Sequence, residues 1–181
     1  SKYIDEMKCG KLWIKSCFRL LVPDLILLLE QAGGLEPRGC LKQGECYTRS
    51  GGIPCTGELL IERNPHICRS EHALMNAVNP EEAERYCSQL DNVCMVNRWD
   101  LTAQRLNGAD FDGDLVLVVD NEIMRSGVDR NAAIVLDIED KATAKREPNT
   151  PEARAEMIQR SMKSMIGEIS NCATCYHNKA P

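Results

Sequence analysis

The sequence predicts an α+β fold, with short strands in the middle of the chain and helices toward both ends. Leu115–Val119 is an apolar run bounded by acidic residues, which predicts a buried strand. Glycine and proline recur at short intervals over residues 35–56, which is typical of loops between short extended segments. Thr150-Pro151-Glu152 combines a cap, a first-turn proline and an acid, so we expect a helix to begin there.

The other elements follow in chain order. One or two amphipathic helices are expected over residues 11–33, ending at Gly33-Gly34. Short apolar runs predict strands at 57–62, 93–96, 115–119 and 134–138. A helix that begins at Asn79-Pro80 has an expected apolar face of Ala83, Tyr86, Cys87 and Leu90. The helix from Thr150 has an expected apolar face of Met157, Ile158, Met162, Met165, Ile166 and Ile169.

These elements predict three parts: a helical lead-in over 1–34, a strand-rich domain over 35–140, and a linker with a C-terminal helix over 141–181. The charged run 137–147 and residues 148–150 are expected to lead into that last helix. The chain begins without Met and stops soon after a helical pattern, so we expect it to be an excised part of a longer protein.

Composition narrows the possible functions. The net charge of -5 argues against a stand-alone nucleic-acid binder, because phosphate neutralisation normally requires a basic face. The longest apolar run, 25–29, is too short to span a bilayer, so we expect no membrane partner. No signal peptide is evident, and the ten cysteines are scattered along the chain. We therefore expect buried thiols in a reducing cytoplasm.

Three aspartates, Asp110, Asp112 and Asp114, fall within five residues. On a flat strand the outer two would lie about 13 Å apart, which is too far for one ion. A turn would bring them together, and Gly113 supplies the backbone freedom for it. Carboxylates this close repel each other unless a cation neutralises them, and oxygen ligands favour Mg²⁺, Mn²⁺ or Ca²⁺ over zinc.

Two other interpretations of this cluster remain. One is a solvated acidic turn without an ion. The other is an EF-hand calcium loop, which requires glycine at its sixth position and a bidentate acid at its twelfth. This chain has Leu115 and Asn121 there, and Val118 at the ninth position offers no side-chain oxygen. The EF-hand pattern therefore fails at three places.

The segment Gly108-Ala-Asp-Phe-Asp-Gly-Asp114 resembles the signature that carries the active-site magnesium in the largest subunit of cellular RNA polymerases. It also resembles the signature of RNA-interference RNA-dependent RNA polymerases and of the single-chain phage polymerases allied to them. Upstream, Gly57-Glu-Leu-Leu-Ile-Glu-Arg63-Asn64-Pro65-His66 resembles the family's strand followed by Arg-Asn-Pro. Further matches favour the RNA-interference and phage branch: Phe18-Arg19, Pro23-Asp24-Leu25, Gly39-Cys40-Leu41-Lys42 and Met165-Ile-Gly167-Glu-Ile169-Ser-Asn171.

The resemblance implies a double-psi β-barrel over 35–140 with flanking helices, as part of a larger polymerase. It implies that Asp110, Asp112 and Asp114 are catalytic and hold Mg²⁺, with Mn²⁺ as a substitute. Arg63 is expected near the substrate sugar, and His66 is expected to assist there. A surface ion pair is the alternative for Arg63, and a structural role is the alternative for His66.

The implied reaction is nucleotidyl transfer from nucleoside triphosphates to the 3′-hydroxyl of RNA, on a DNA or RNA template. The implied partner is a second, lysine-bearing barrel elsewhere in the full-length chain or in another subunit, and without it we expect these 181 residues to be inactive. Localisation is expected to be cytoplasmic, or nuclear in a eukaryote. The alternative function is a catalytically inert metal-binding barrel with a structural or regulatory role.

Three features depart from the resemblance or lie outside it. The cellular signature has Asn two residues before its first Asp, where it helps to sense the ribose 2′-hydroxyl; here that position is Gly108, and Asn107 lies one step earlier. Cys172 and Cys175 form half of a zinc motif, but at this spacing they are expected to be core thiols on one helix face. Lys141, Lys145 and Arg146 could touch a nucleic-acid backbone or form a solvated loop.

Overall fold

The strands and helices are those of a computed structural model, which describes residues 2–8, 11, 13–66, 68–132, 146–162 and 165–179. The strands are β1 (Ser16–Pro23), β2 (Glu45–Ser50), β3 (Ile53–Pro54), β4 (Gly57–Glu62), β5 (Ala73–Ala77), β6 (Val93–Val96) and β7 (Leu115–Val119). The helices are α1 (Lys2–Lys8), α2 (Leu25–Ala32), α3 (Glu81–Cys87), α4 (Thr102–Arg105), α5 (Glu122–Ser126), α6 (Pro151–Ser161) and α7 (Ile166–Lys179), with a 3₁₀ turn at Arg69–Glu71.

Six of the strands close into a barrel. Their order is β2-β5-β4-β7-β1-β6, and β6 pairs with β2 to complete the ring. The remaining strand, β3, forms a short hairpin with β2. Closure removes free sheet edges from the ring, so the backbone groups of these strands are paired around the barrel. The expected α+β fold, a double-psi β-barrel with flanking helices, is confirmed.

The pairing pattern has an internal two-fold relation. β1 runs parallel to β6 and antiparallel to β7, while β5 runs parallel to β2 and antiparallel to β4. The two remaining contacts, β2 with β6 and β4 with β7, are both antiparallel. Exchanging β1, β2 and β4 with β5, β6 and β7 therefore leaves the ring unchanged. Each parallel pair joins strands distant in sequence, so the two halves of the barrel interlock.

The core has two layers, which follow from side-chain alternation along the strands. On β6, Cys94 and Val96 belong to the cluster that fills the barrel, whereas Met95 belongs to a second cluster outside it. On β2, Cys46 points inward in the same way and Tyr47 points outward. The outer cluster packs the barrel wall against helices α2 and α3, with Ile26, Ala83 and Cys87 as their buried residues.

Several local predictions are confirmed and others are wrong. Strands β4, β6 and β7 and the start of α3 lie where the sequence predicts them. Helix was wrong for Ser16–Pro23, which is β1 and pairs with β6 and β7 inside the barrel. The lead-in over 1–34 is therefore not purely helical, because this strand is needed to close the ring. The domain boundaries at 34/35 and 140/141 stay predictions, and the strand expected at 134–138 lies outside the described residues.

The C-terminal region also differs from expectation. The single helix expected from residue 151 is two helices, α6 and α7, with Met162 and Met165 lying between them. Five of the six apolar side chains expected to share one helix face are more than half exposed, namely Met157, Ile158, Met162, Met165 and Ile169. The side chain of the sixth, Ile166, lies outside the part of the chain that the structure describes. Cys172 and Cys175 are likewise exposed on α7, so the prediction that they are core thiols was wrong. These helices bury little because they lie outside the barrel's own core.

Two further findings concern the whole described part of the chain. Its nine cysteines are all free thiols, and three of them, Cys46, Cys87 and Cys94, are buried. Among the described residues, none of the helices combines the length and the apolar character that crossing a membrane requires. Lys141 and Lys145 lie outside the described residues, so neither the solvated loop nor the nucleic-acid contact is tested for them.

Candidate metal centre

The three aspartates lie in the loop that joins α4 to β7. The loop is anchored at its start by Leu106, which is fully buried, and by Ala109, which is 6% exposed; both belong to the cluster inside the barrel. At its end, the Asp114 carbonyl accepts a 2.8 Å hydrogen bond from the Leu21 N–H, which extends the β1–β7 ladder. Both ends of the loop are thus fixed to the barrel.

The loop gathers the three carboxylates into one group. Asp110, Asp112 and Asp114 each offer an oxygen, and these three oxygens lie within 4.8 Å of one another. Asp110 and Asp112 are exposed, whereas Asp114 is half-buried. The separation is far smaller than a strand would give, so the predicted turn is present. The ligand set is all oxygen, which suits a hard divalent cation such as Mg²⁺ or Mn²⁺.

The pKa values of Asp112 and Asp114 shift in opposite directions. The hydrogen bond with Asp110, together with the nearby negative charge of Asp110, raises the pKa of Asp112 above its ordinary value. Burial raises the pKa of Asp114, but the Asp110 N–H and the Arg63 guanidinium together outweigh burial and hold that pKa below its ordinary value. Asp114 is therefore a stable carboxylate, while Asp110 and Asp112 crowd each other. A divalent cation would relieve this crowding.

Arg63 follows β4 and reaches across to the aspartate loop. Its Nη2 donates to Asp114 Oδ1 at 3.0 Å, and its Nη1 donates to the Asn107 carbonyl at 3.2 Å. The Arg63 and Asp114 side chains are 24% and 23% exposed, so the ion pair is partly shielded from solvent. Arg63 lies beside the candidate metal ligands, and its expected position near the substrate sugar stays a prediction. The alternative for Arg63 was a surface ion pair. The ion pair found is partly buried and joins Arg63 to Asp114, a member of the aspartate cluster.

Two turns give the loop its shape. Asn107 and Gly108 both have left-handed backbones, with φ of 58° and 61°, which reverses the chain after α4. Gly113 has φ of 138°, a value that residues other than glycine rarely adopt. The glycine two residues before Asp110, where the cellular signature has Asn, thus has a backbone reason for being there.

Replacing Gly113 tests its place in the loop. We expect Gly113→Ala to cost about 1–3 kcal/mol of backbone strain, which the loop would relieve by moving Asp112 away from Asp114. Affinity for Mn²⁺ should then fall about tenfold, measured by titration of the 181-residue chain. Gly51→Ala is the matched control, because Gly51 also has a positive φ (59°) but lies in the β2–β3 turn. Equal losses in the two variants would contradict the expectation.

His66 and Asp110 line different cavities. Its Nδ1 is 3.1 Å from Asn64 Oδ1, and its ring packs edge-on against His72 at a centroid distance of 4.7 Å. His72 in turn forms a 2.5 Å contact with Glu62. The two histidines line a cavity of ≈270 Å³ together with Cys68, Arg69, Gly127, Asp129 and Thr174. The role of His66 in substrate binding stays a prediction.

A second cavity opens directly beside the aspartates. It has a volume of ≈240 Å³ and is lined by Asn97, Arg98, Asp100, Ala103, Gln104, Ala109, Asp110 and Phe111. Its lining combines amide and guanidinium groups with the two carboxylates of Asp100 and Asp110. Such a mixture can accept a polar, phosphate-bearing ligand next to a metal ion. Asn97, Arg98 and Gln104 share no motif with the aspartate run, so no sequence pattern predicts a role for them.

Comparisons with known proteins identify the family and the fold of the chain. Residues 14–180 match the family model described as RNA dependent RNA polymerase. No curated protein matches the sequence. Among solved structures, the chain is similar to the RNA dependent RNA polymerase QDE-1 from Thielavia terrestris, with 16% sequence identity and a TM-score of 0.52. That match covers 98% of this chain and 22% of the QDE-1 chain, so this chain spans about a fifth of that protein's length. At this level of identity the match supports the fold. Because the family model spans nearly its whole length, the chain belongs to the RNA-dependent RNA polymerase family.

Proposed function

We propose that this chain supplies the metal-holding half of a polymerase active site. Asp110, Asp112 and Asp114 would hold Mg²⁺, or Mn²⁺ in its place, for nucleotidyl transfer from a nucleoside triphosphate to the 3′-hydroxyl of RNA. The template would be RNA or DNA. The observation that carries the proposal is the convergence of three carboxylate oxygens within 4.8 Å in a chain of the RNA-dependent RNA polymerase family.

The ligand set suits this chemistry. When bound, the ion would lower the pKa of the attacking hydroxyl and steady the charge that builds on the α-phosphate. Asp114 supplies a carboxylate that stays ionised, because Arg63 and the Asp110 N–H both donate to it. The transfer needs no side-chain nucleophile, so the protein's task is to hold charge and position the reactants.

Arg63 would bind the substrate sugar or a phosphate oxygen. Its guanidinium already spans Asp114 and Asn107, and a planar fork with several donors can hold a further oxygen on its free edge. His66 would assist from the neighbouring turn, which Asn107 Nδ2 joins to the aspartate loop through the Pro65 carbonyl at 3.3 Å. The ≈240 Å³ cavity beside Asp110 is the candidate approach for the triphosphate.

The proposal also requires a partner barrel that carries lysines for the nucleotide and the RNA. The net charge of -5 supports a division of labour in which the basic groove lies elsewhere. An exposed apolar face next to the aspartates supports the proposal that another part of the whole protein covers it. Phe18 pairs with Leu117 and Leu20 pairs with Leu115 on the outer wall of β1 and β7, and both Phe18 and Leu115 are more than half exposed. We place the whole enzyme in the cytoplasm, or in the nucleus of a eukaryote.

The experiment compares this chain with the full-length protein that contains it. Each is given a primed template, nucleoside triphosphates and Mg²⁺, and RNA extension is measured. We expect extension by the full-length protein and none by the 181 residues alone. Extension by the isolated chain would refute the need for a second barrel. A full-length protein that binds Mn²⁺ but extends nothing would favour the alternative of an inert metal-binding barrel.

A further inference from the structure

We propose that Asn107 is a positioning residue that holds Arg63 against Asp114, and this inference rests on the proposed function. Asn107 lies at the start of the aspartate loop and is half-buried. It contacts the Arg63 segment at two points, once through its main chain and once through its side chain. In the proposed enzyme it would act on the substrate through Arg63, not by its own contact with the reacting atoms.

The main-chain contact depends on an uncommon backbone. Asn107 has φ of 58°, and Gly108 continues in the same left-handed region. The chain therefore reverses here, and the Asn107 carbonyl accepts a 3.2 Å hydrogen bond from Arg63 Nη1. The same guanidinium donates through Nη2 to Asp114 at 3.0 Å. Arg63 is thus fixed by two acceptors from one loop, seven residues apart.

The side-chain contact closes a ring. Asn107 Nδ2 donates to the Pro65 carbonyl at 3.3 Å, two residues beyond Arg63. The loop before β7 and the turn after β4 are therefore joined at three places: Asp114 with Arg63, the Asn107 carbonyl with Arg63, and the Asn107 amide with Pro65. A guanidinium on a flexible stem loses less freedom on binding a substrate when the turn that carries it is already fixed.

Asparagine suits both the left-handed backbone and the side-chain hydrogen bond at this position. Asparagine tolerates the left-handed region better than other non-glycine residues, and its amide also donates a hydrogen bond. Glycine would keep the backbone but lose the donor. Aspartate would keep the shape but present an acceptor to the Pro65 carbonyl. The bond to Pro65 uses one of the two N–H groups of the Asn107 amide.

The test uses Asn107→Asp and Asn107→Gly in the full-length protein. Both remove the bond to Pro65, so we expect the KM for the nucleoside triphosphate to rise about five- to tenfold with kcat within about twofold, as loss of one hydrogen bond predicts. In an Arg63→Ala background the same substitutions should have no further effect, since Asn107 acts through Arg63. Independent, additive losses would overturn the proposal.

A second measurement does not depend on activity. In the 181-residue chain, the guanidinium N–H signals of Arg63 should be separate and slowly exchanging by NMR, and they should merge or broaden in Asn107→Asp. Asn107→Gly controls for backbone strain, because glycine accepts the left-handed turn. Unchanged Arg63 signals in both folded variants would overturn the positioning role, even if the full-length protein is a polymerase. Altered signals in a full-length protein without activity would instead count against the proposed function alone.

Discussion

Asp112→Asn in the full-length protein should reduce templated RNA synthesis by about 10³-fold or more, because a metal ion at such a site contributes several kcal/mol of transition-state stabilisation. Asp112 is exposed and offers one of the three carboxylate oxygens that lie within 4.8 Å of one another. The substitution keeps the size of the side chain and removes one negative charge from the ligand set. The barrel core does not include this residue, so folding should be unchanged.

The measurement is primer extension at saturating nucleoside triphosphate, with circular dichroism as a check on folding. Asp5→Asn is the matched control, since it removes an exposed carboxylate from α1. It should extend primers at the normal rate. Templated synthesis that survives Asp112→Asn would sink the catalytic role and favour the inert-barrel alternative.

Asp24→Ala should lower the free energy of unfolding by about 4 kcal/mol, because one buried carboxylate serves four backbone donors. Asp24 is 2% exposed and caps α2 by accepting from Ile26 and Leu27. Its other oxygen accepts from Cys40 at 2.7 Å and from Leu41 at 2.9 Å. Removal would leave the helix end and the 40–41 loop without their common acceptor.

Urea denaturation of the 181-residue chain measures this change. Asp129→Ala is the matched control: Asp129 is exposed and accepts one hydrogen bond, from the Asn131 N–H at 3.0 Å. Its loss should cost less than about 1 kcal/mol. Equal costs for the two substitutions would show that the buried network around Asp24 contributes little stability.

The same residue explains why two short sequence matches belong together. Pro23-Asp24-Leu25 and Gly39-Cys40-Leu41 are separated in the chain, and local patterns give no reason for their co-occurrence. In the fold, the Asp24 carboxylate bridges them. A Cβ on Gly39 would lie 2.4 Å from Asp24 Oδ2, so glycine is required at that approach. The family resemblance identified both motifs, and the hydrogen bonds of the buried Asp24 carboxylate explain why they occur together.

Local features were predictable and long-range ones were not. The aspartate group could be found because its members lie within five residues and Gly113 signals a turn. β1 was mistaken for helix because its alternation is broken at Leu20, Leu21 and Val22, where inner and outer faces both bear apolar groups. Its true partners, β6 and β7, lie far along the chain, and short apolar runs alone cannot separate helix from strand.

Contacts across the site show the same limit. The resemblance placed Arg63 near the active centre, but nothing local indicated that it pairs with Asp114. Asn107 was noted only as displaced from the cellular pattern, although the Asn107-Gly108 dipeptide is a turn signal that could have located the reversal. Its bonds to Arg63 and Pro65 depend on how β4 and β7 pair, which the sequence pattern does not encode.

The most direct test of the central claim is where Mn²⁺ binds on this chain. Substoichiometric Mn²⁺ is added to the ¹⁵N-labelled protein, and paramagnetic broadening of each amide resonance is measured. The amides of residues 109–115 should broaden first, and Asp110→Asn should remove that selectivity, because the ion loses one of its three carboxylate ligands. Broadening spread evenly over the acidic surface, or centred on another group of carboxylates, would contradict a metal site at Asp110, Asp112 and Asp114.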